Sequence, residues 1–422
     1  MPDSRMSAAE ALTALSAPGG HDDPYPLYEV IRRHGDVVDV APGRLVVTGY
    51  RACDAALRDP LLRVQDGAAQ DATRPGWRGH SSLRAFAASV LFTNPPDHGR
   101  VRSLLAPVFA PARVRDMRPV VEEMTDRLLD GLAERHGDGT PLDLVAEFTS
   151  RLPMAVVIAV LGFPAAEERW FRETASAVAV ATDGRPSADA MARADTAMDE
   201  LTAHLERVTA ERRSCPREDL VTALTRVHDD DPGRLGREEL TGNLMVLLTA
   251  GFETTNFLLG QGVLQALACA DHARRLREDP GFAAEFVEET LRLEPPVHVT
   301  SRRAAADTSL EGRPLPAGTR VTLLLAAANR DPARFPDPGR FVPGRSPGRA
   351  LSFGAGGHFC LGAHLARLEA TVALPRLLRR FPGLRRVADP VHRDRWVVRG
   401  PERLPVSVGG PRSGGLPARE GA

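Results

Sequence analysis

The chain has 422 residues, a formal net charge of −1, 43% hydrophobic residues and 26% charged residues. That balance is ordinary for a soluble globular protein, and it excludes nucleic-acid binding driven by net charge and a small disulfide scaffold. Cys53, Cys215, Cys269 and Cys360 are scattered without paired metal-type spacing, which fits a reducing cytoplasm.

Residues 1–20 hold no apolar run, so neither a signal peptide nor a membrane anchor is expected, and the segment reads as flexible. Residues 21–410 read as one domain and 411–422 as a disordered tail. Residues 24–34 predict a short amphipathic helix. Two strands, 37–41 and 44–48, follow with a Pro-Gly turn between them. Residues 51–59 are helical. Residues 61–89, rich in Gly, Asp and Ser, predict a long irregular loop of the kind that is usually functional. After Pro95 and Pro96 a helix is expected with Asp97 as its N-cap, which puts His98 and Arg102 four apart on one face. Helices are then expected over 114–136, 142–161, 164–182 and 188–213.

Residues 237–270 form the longest helical stretch, on the order of 50 Å at ~1.5 Å per residue. It is apolar nearly all round and is therefore expected to be buried. Ala250-Gly-Phe-Glu-Thr-Thr255 interrupts it. Glycine inside a helix costs about 1 kcal/mol relative to alanine, so Gly251 needs a reason such as close approach to the backbone. Thr254 can bond back to the carbonyl of Ala250 and loosen the helix. Glu253 beside that hydroxyl makes a plausible proton relay. Residues 284–293 predict a helix with Glu289 and Arg292 paired at i,i+3. Short strands are expected at 309–310, 313–315 and 319–324.

The loop Leu351-Ser-Phe-Gly-Ala-Gly-Gly-His-Phe-Cys-Leu-Gly-Ala363 precedes a predicted helix over 364–380. So much glycine marks a tight turn. A cysteine at a helix start meets unpaired N–H groups and the positive end of the dipole, which favour thiolate. A last hairpin is expected over 396–408, with its tip at 400–403.

Phe353, Gly356, Cys360 and Gly362, with His358 between them, match Phe-x-x-Gly-x-x-x-Cys-x-Gly. The chain thereby resembles the cytochrome P450 family, in its soluble bacterial, actinomycete-like form. The motifs around Ala250–Thr255, Glu289/Arg292, His98/Arg102 and Ser301-Arg-Arg-Ala304 resemble that family's in the same order. The resemblance implies a mainly α fold with small β-sheets, a single prism-shaped domain with buried haem. It implies haem b with Cys360 as the axial thiolate, and no flavin in this chain. His98, Arg102, Arg302 and His358 would hold the propionates, while Phe353, Gly354 and Gly362 would shape the loop. Ala250, Gly251, Glu253 and Thr254 would activate oxygen, and Glu289, Arg292 and Arg345 would form a structural triad. The substrate pocket would take in Leu247, Val297, His298 and Pro401, under a roof from residues 61–89. For His298 a solvent-facing or locally bonded role is an equal alternative.

The activity implied is monooxygenation of an apolar small molecule, free or carrier-bound, of the antibiotic-type secondary-metabolite kind. Electrons would come from ferredoxin and its reductase, steered by Arg100, Arg102, Arg113 and Arg115. A monomer without nucleic-acid or membrane partners is expected. The alternatives are ring closure or coupling without oxygen insertion, and a catalytically silent binder. The intact Glu253 and Thr254 count against the second.

Overall fold

The computed structural model describes residues 6–17, 19–183, 186–346 and 349–409. Its axis is the central helix, Arg237–Leu267, buried along most of its length. The two halves of this helix serve different cores. Leu244, Met245, Leu248 and Phe252 pack with the helices Arg151–Leu161, Glu168–Ala179 and Ala188–Ser214. Leu258, Leu259 and Val263 pack with Arg118–His136, Phe282–Leu293 and Ala363–Arg380. The polar residues Glu253 to Asn256 lie where one core gives way to the other, and Thr149 Oγ1 donates to Asn256 Oδ1 at 2.8 Å.

The strands are few and short. A five-stranded sheet runs in the order Val37–Ala41, Arg44–Val47, Arg320–Leu324, Val299–Ala304, Leu62–Arg63. Its second and third strands are parallel, Leu45 opposite Val321, and its other pairs are antiparallel. A three-stranded sheet joins Leu142–Asp143, Pro405–Ser407 and Arg385–Arg386. Buried Arg399 ties the far end of the chain to the near end. It donates to the carbonyls of His21 at 3.0 Å and Asp22 at 2.6 Å and pairs with Glu294 at 3.2 Å.

Several sequence expectations are corrected. The segment expected to be flexible carries the helix Ala8–Leu15, started by a Ser7/Glu10 capping box and anchored by fully buried Ala11 and Leu15. The loop expected over 61–89 contains the helices Gly67–Thr73 and Ser81–Ala87. Asp66 caps the first. A distant carboxylate, Asp195, receives the Ser82 N–H at 3.1 Å at the start of the second. The helix expected over 114–136 restarts at Met117, where Pro119 follows at the second helical position and removes a donor. The helix expected over 142–161 begins instead as a strand and a π-turn, because the Asp143 carboxylate accepts from both Val145 and Leu404 N–H. The long helix ends at Leu267, and Ala270–Glu278 starts afresh. The helix Leu220–Asp230 is additional. The final hairpin is not one hairpin. Pro401–Arg403 pairs back with Val391–His392, while Pro405–Ser407 crosses into the three-stranded sheet. The tail 411–422 lies outside the described residues. Among the described residues no helix is long and apolar enough to cross a membrane.

Candidate functional site

The cysteine loop is built by two left-handed glycines, Gly354 at φ +67° and Gly356 at φ +69°. A side chain at Gly356 would also come within 2.4 Å of the Leu57 carbonyl oxygen, so this position excludes other residues on two grounds. The loop closes with Cys360 N–H donating to the Phe353 carbonyl at 3.0 Å. It is moored by Asn329, which accepts from Leu351 N–H at 2.7 Å and donates to Ser352, whose hydroxyl reaches the Leu291 carbonyl at 2.6 Å. The backbone N–H groups of Gly362 and Ala363 favour a negative sulfur, as do Arg102 and Arg367. Burial outweighs them in the protein alone and raises the Cys360 thiol pKa. The side chain is nonetheless accessible. Cys360 therefore borders open space and not packed side chains.

The central helix also borders open space. Among its buried residues, Leu247, Gly251 and Thr254 are half-buried and Ala250 is exposed. Their spacing of three, four and seven makes one uncovered stripe. Leu361, next to Cys360, packs against the same cluster that holds Leu244, Leu248 and Phe252 of this helix. Thr254 Oγ1 donates to the Ala250 carbonyl at 2.8 Å as expected, but the helix stays continuous there. Gly251 has a packing reason of its own: an added Cβ would meet Val157 Cγ2 at 2.9 Å.

Four donors collect beside the loop. His98 and Arg102 come from the helix Asp97–Leu105, which Asp97 opens as its first residue and not as its cap. Arg302 comes from the strand Val299–Ala304 and His358 from the loop itself. The His98 and His358 rings lie 4.0 Å apart. Arg102 donates to the Phe359 carbonyl at 2.6 Å, and Arg302 to the Ser301 carbonyl at 2.8 Å. His98 Nε2 is buried without a partner. Burial lowers the Arg302 pKa to about 10. Burial first, then His98, Arg302 and Arg102, brings His358 down to about 3. No carboxylate among the described residues pairs with any of the four. A buried cation costs free energy unless it is paired, so this cluster is matched to an anion that the chain does not provide. A thiolate-bound haem carrying two carboxylates fits that donor set and the open space beside Cys360.

Glu289, Arg292 and Arg345 come together. Arg292 grips Glu289 through two bonds of 2.8 and 2.7 Å, and Arg345 Nε lies 3.3 Å from the same carboxylate. Glu253 does not bond Thr254. Its carboxylate is held by Arg393 and, at 3.1 Å, by Arg395. His298 does not line open space: it is 1% exposed, its Nδ1 is 3.0 Å from the Tyr28 hydroxyl, and it packs against the Tyr25 and Tyr28 rings. Pro401 packs on the central helix at Gly260, two turns beyond Thr254. Val297 is half-buried and bridges to Val398. Of the arginines expected to steer a partner, Arg113 and Arg115 are exposed. Arg100 is engaged by Asp97 and Glu239, and Arg102 points inward. Sequence reasoning missed Arg393 and Arg395; no local pattern marks them.

Residues 281–405 match the family model described as Cytochrome P450. The Vitamin D(3) 25-hydroxylase of Pseudonocardia autotrophica is 39% identical, the alignment covering 93% of this chain and 95% of that one. The 6-deoxyerythronolide B hydroxylase of Saccharopolyspora erythraea is 36% identical over 94% of this chain and 98% of that one. Among solved structures, P450BioI in complex with an acyl carrier protein ligated to hexadec-9Z-enoic acid superposes with a TM-score of 0.84 at 30% identity, covering 94% of this chain and 99% of that one.

Proposed function

The chain belongs to the cytochrome P450 family, and from that premise we propose that it is a haem-thiolate monooxygenase of an apolar biosynthetic scaffold, supplied with electrons by a ferredoxin and its reductase. The observation that carries this reading is the pairing of an accessible, enclosed Cys360 with four cationic or neutral donors that have no anion of their own. Haem held there would supply the activation of O₂, helped by the electron density a thiolate donates.

In this reading Cys360 holds the iron, and His98, Arg102, Arg302 and His358 take the two carboxylates. Phe353 and the Gly354, Gly356 and Gly362 backbone keep the sulfur in place. The stripe of Leu247, Ala250, Gly251 and Thr254 faces the reacting atoms. The Thr254 hydroxyl hands on a proton, and the Glu253 carboxylate, once it has left its arginines and taken up a proton from solvent, replaces it. Val297 lines the substrate side. Glu289, Arg292 and Arg345 keep the mooring of the loop intact. Arg113 and Arg115 offer an acidic electron donor a basic edge. Work in the cytoplasm and as a monomer completes the proposal.

The relatives act, by their names, on molecules as unlike as vitamin D3 and 6-deoxyerythronolide B, and one solved structure carries an acyl chain on a carrier protein. The substrate is therefore to be found by spectral titration of the haem protein with those three kinds of ligand. A saturable low-spin to high-spin shift with one of them names the class. With that substrate, Thr254→Ala is expected to lower product formed per NAD(P)H about tenfold, and unchanged coupling overturns the assignment.

A further inference from the structure

Three consecutive residues near the C-terminus, Arg393, Asp394 and Arg395, reach three different parts of the molecule. Asp394 meets His21 at 2.5 Å. Arg393 reaches Glu253 and lies over the Phe257 ring, one turn further along the same helix face. Arg395 is shared: its Nη1 is 3.1 Å from Glu253, and its Nε is 3.0 Å from Asp183, the residue that follows the turn Val180–Thr182. The side chains of Glu253, Arg395, Asp183 and Arg393 are only 7%, 14%, 17% and 20% exposed. The segment 393–400 has little room to move, because Arg393 N–H donates to the Gly400 carbonyl at 3.2 Å and Gly400 approaches Phe257 so closely that a Cβ there would come within 2.1 Å.

We propose that Arg393 and Arg395 are positioning residues that hold the Glu253 carboxylate away from the Thr254 hydroxyl, and that Asp183, by competing for Arg395, sets how firmly they hold it. This rests on the reading of Glu253 as the group that replenishes Thr254. Glu253 must loosen at least one guanidinium before it can carry a proton toward Thr254. Asp183 draws on Arg395 from the other side, so its charge eases that release. Without Asp183, Arg395 belongs to Glu253 alone. Without Arg395, Asp183 loses its ion pair and Glu253 keeps only Arg393, which Glu402 also approaches at 3.8 Å, and like charges so placed do not both stay ionised.

The test reads the acids directly. Infrared spectra of the ferric holoprotein in H₂O and D₂O separate protonated from ionised carboxyl groups. Glu369, fully enclosed with an unpartnered oxygen and kept neutral by burial, supplies a protonated band in every variant as an internal reference. Arg395→Gln is expected to add a second protonated band, and Arg395→Gln/Asp183→Asn to lose it again. Asp183→Asn alone is expected to show no new band but to increase the solvent isotope effect on turnover about twofold. An unchanged spectrum in Arg395→Gln, or a band that persists in the double variant, overturns the proposal. Should Arg395→Gln fail to retain haem, Arg395→Lys, which keeps the charge, must keep the parent spectrum, and the isotope effect of Asp183→Asn then decides. Glu253→Gln separates the two readings. If coupling is unchanged in that variant, the relay itself is wrong whatever the spectra show. If coupling falls while Arg395→Gln is spectrally silent, the relay stands and the positioning does not.

Discussion

Two polar clusters, one beside the cysteine loop and one on the central helix, are built on opposite principles. Beside Cys360, His98, Arg102, Arg302 and His358 gather without an acid. Beside Thr254, Glu253 and Asp183 are matched by Arg393 and Arg395. The first cluster is unfavourable until an anion arrives from outside; the second is already neutral. Under the proposed function, that difference separates a socket for a cofactor from a group held in readiness.

The sharpest way to break this comparison is to unbalance the neutral cluster. Glu253→Ala leaves Arg395 with Asp183 alone and Arg393 with only Glu402, at 3.8 Å, and is expected to destabilise the protein by about 3 kcal/mol, with or without haem. Chemical denaturation of apo and holo forms measures it. Equal stability of variant and parent would mean that the arginines find other partners. Next comes Arg302→Met in the unpaired cluster. It is expected to weaken haem retention about 10- to 100-fold, yet to leave the apoprotein as stable as the parent or more so, because an unmatched charge is removed. Haem transfer to apomyoglobin and apoprotein melting read the two halves separately, and a loss of apoprotein stability would place an anion in the cluster after all.

The smallest effect is one of pH. Burial, then Arg399, lowers the His392 pKa to about 4, against a weaker opposing pull from Asp22. An unfolded histidine titrates near 6.5, so between about pH 6.5 and 4 the unfolded chain binds the extra proton. Stability contributed by neutral His392 is complete above that window and is lost as pH falls through it. His392→Phe is expected to flatten the fall in melting temperature across the window, and an unchanged slope would assign the dependence elsewhere.

These clusters also differ in how far they were legible. The cysteine loop, the stripe from Leu247 to Thr254 and the Glu289–Arg292 pair are local patterns, because fixed spacing on one helix or in one turn forces their geometry. His98, Arg102 and Arg302 could be grouped only through a family likeness, since no spacing connects residue 98 to residue 302. The partners of Glu253 lie 140 and 142 positions away, and nothing in the sequence near Arg393 or Arg395 distinguishes them from the chain's other arginines. His298 illustrates the same limit. Its surroundings are decided by Tyr28, 270 positions earlier, and the resulting contact draws it out of the pocket where a likeness placed it. The helices inside 61–89 were hidden for a related reason, since each is too short to show periodicity and one is started by Asp195, far along the chain.

The three contacts of Arg399 have a consequence for how the protein is made. Its guanidinium closes on the backbone of His21 and Asp22 and on Glu294, so the segment that leaves the ribosome among the first is secured by one that leaves among the last. At a synthesis rate of roughly 5–20 residues per second, the N-terminal helices wait on the order of tens of seconds for that closure. For most of that interval, until residues 324–327 are made, the face of the helix Tyr25–Arg33 that receives Leu324, Ala326 and Ala327 is also open. A nascent chain halted short of residue 324 would therefore present this early apolar face to chaperones, and one halted between 327 and 399 would have it covered but not yet secured by Arg399.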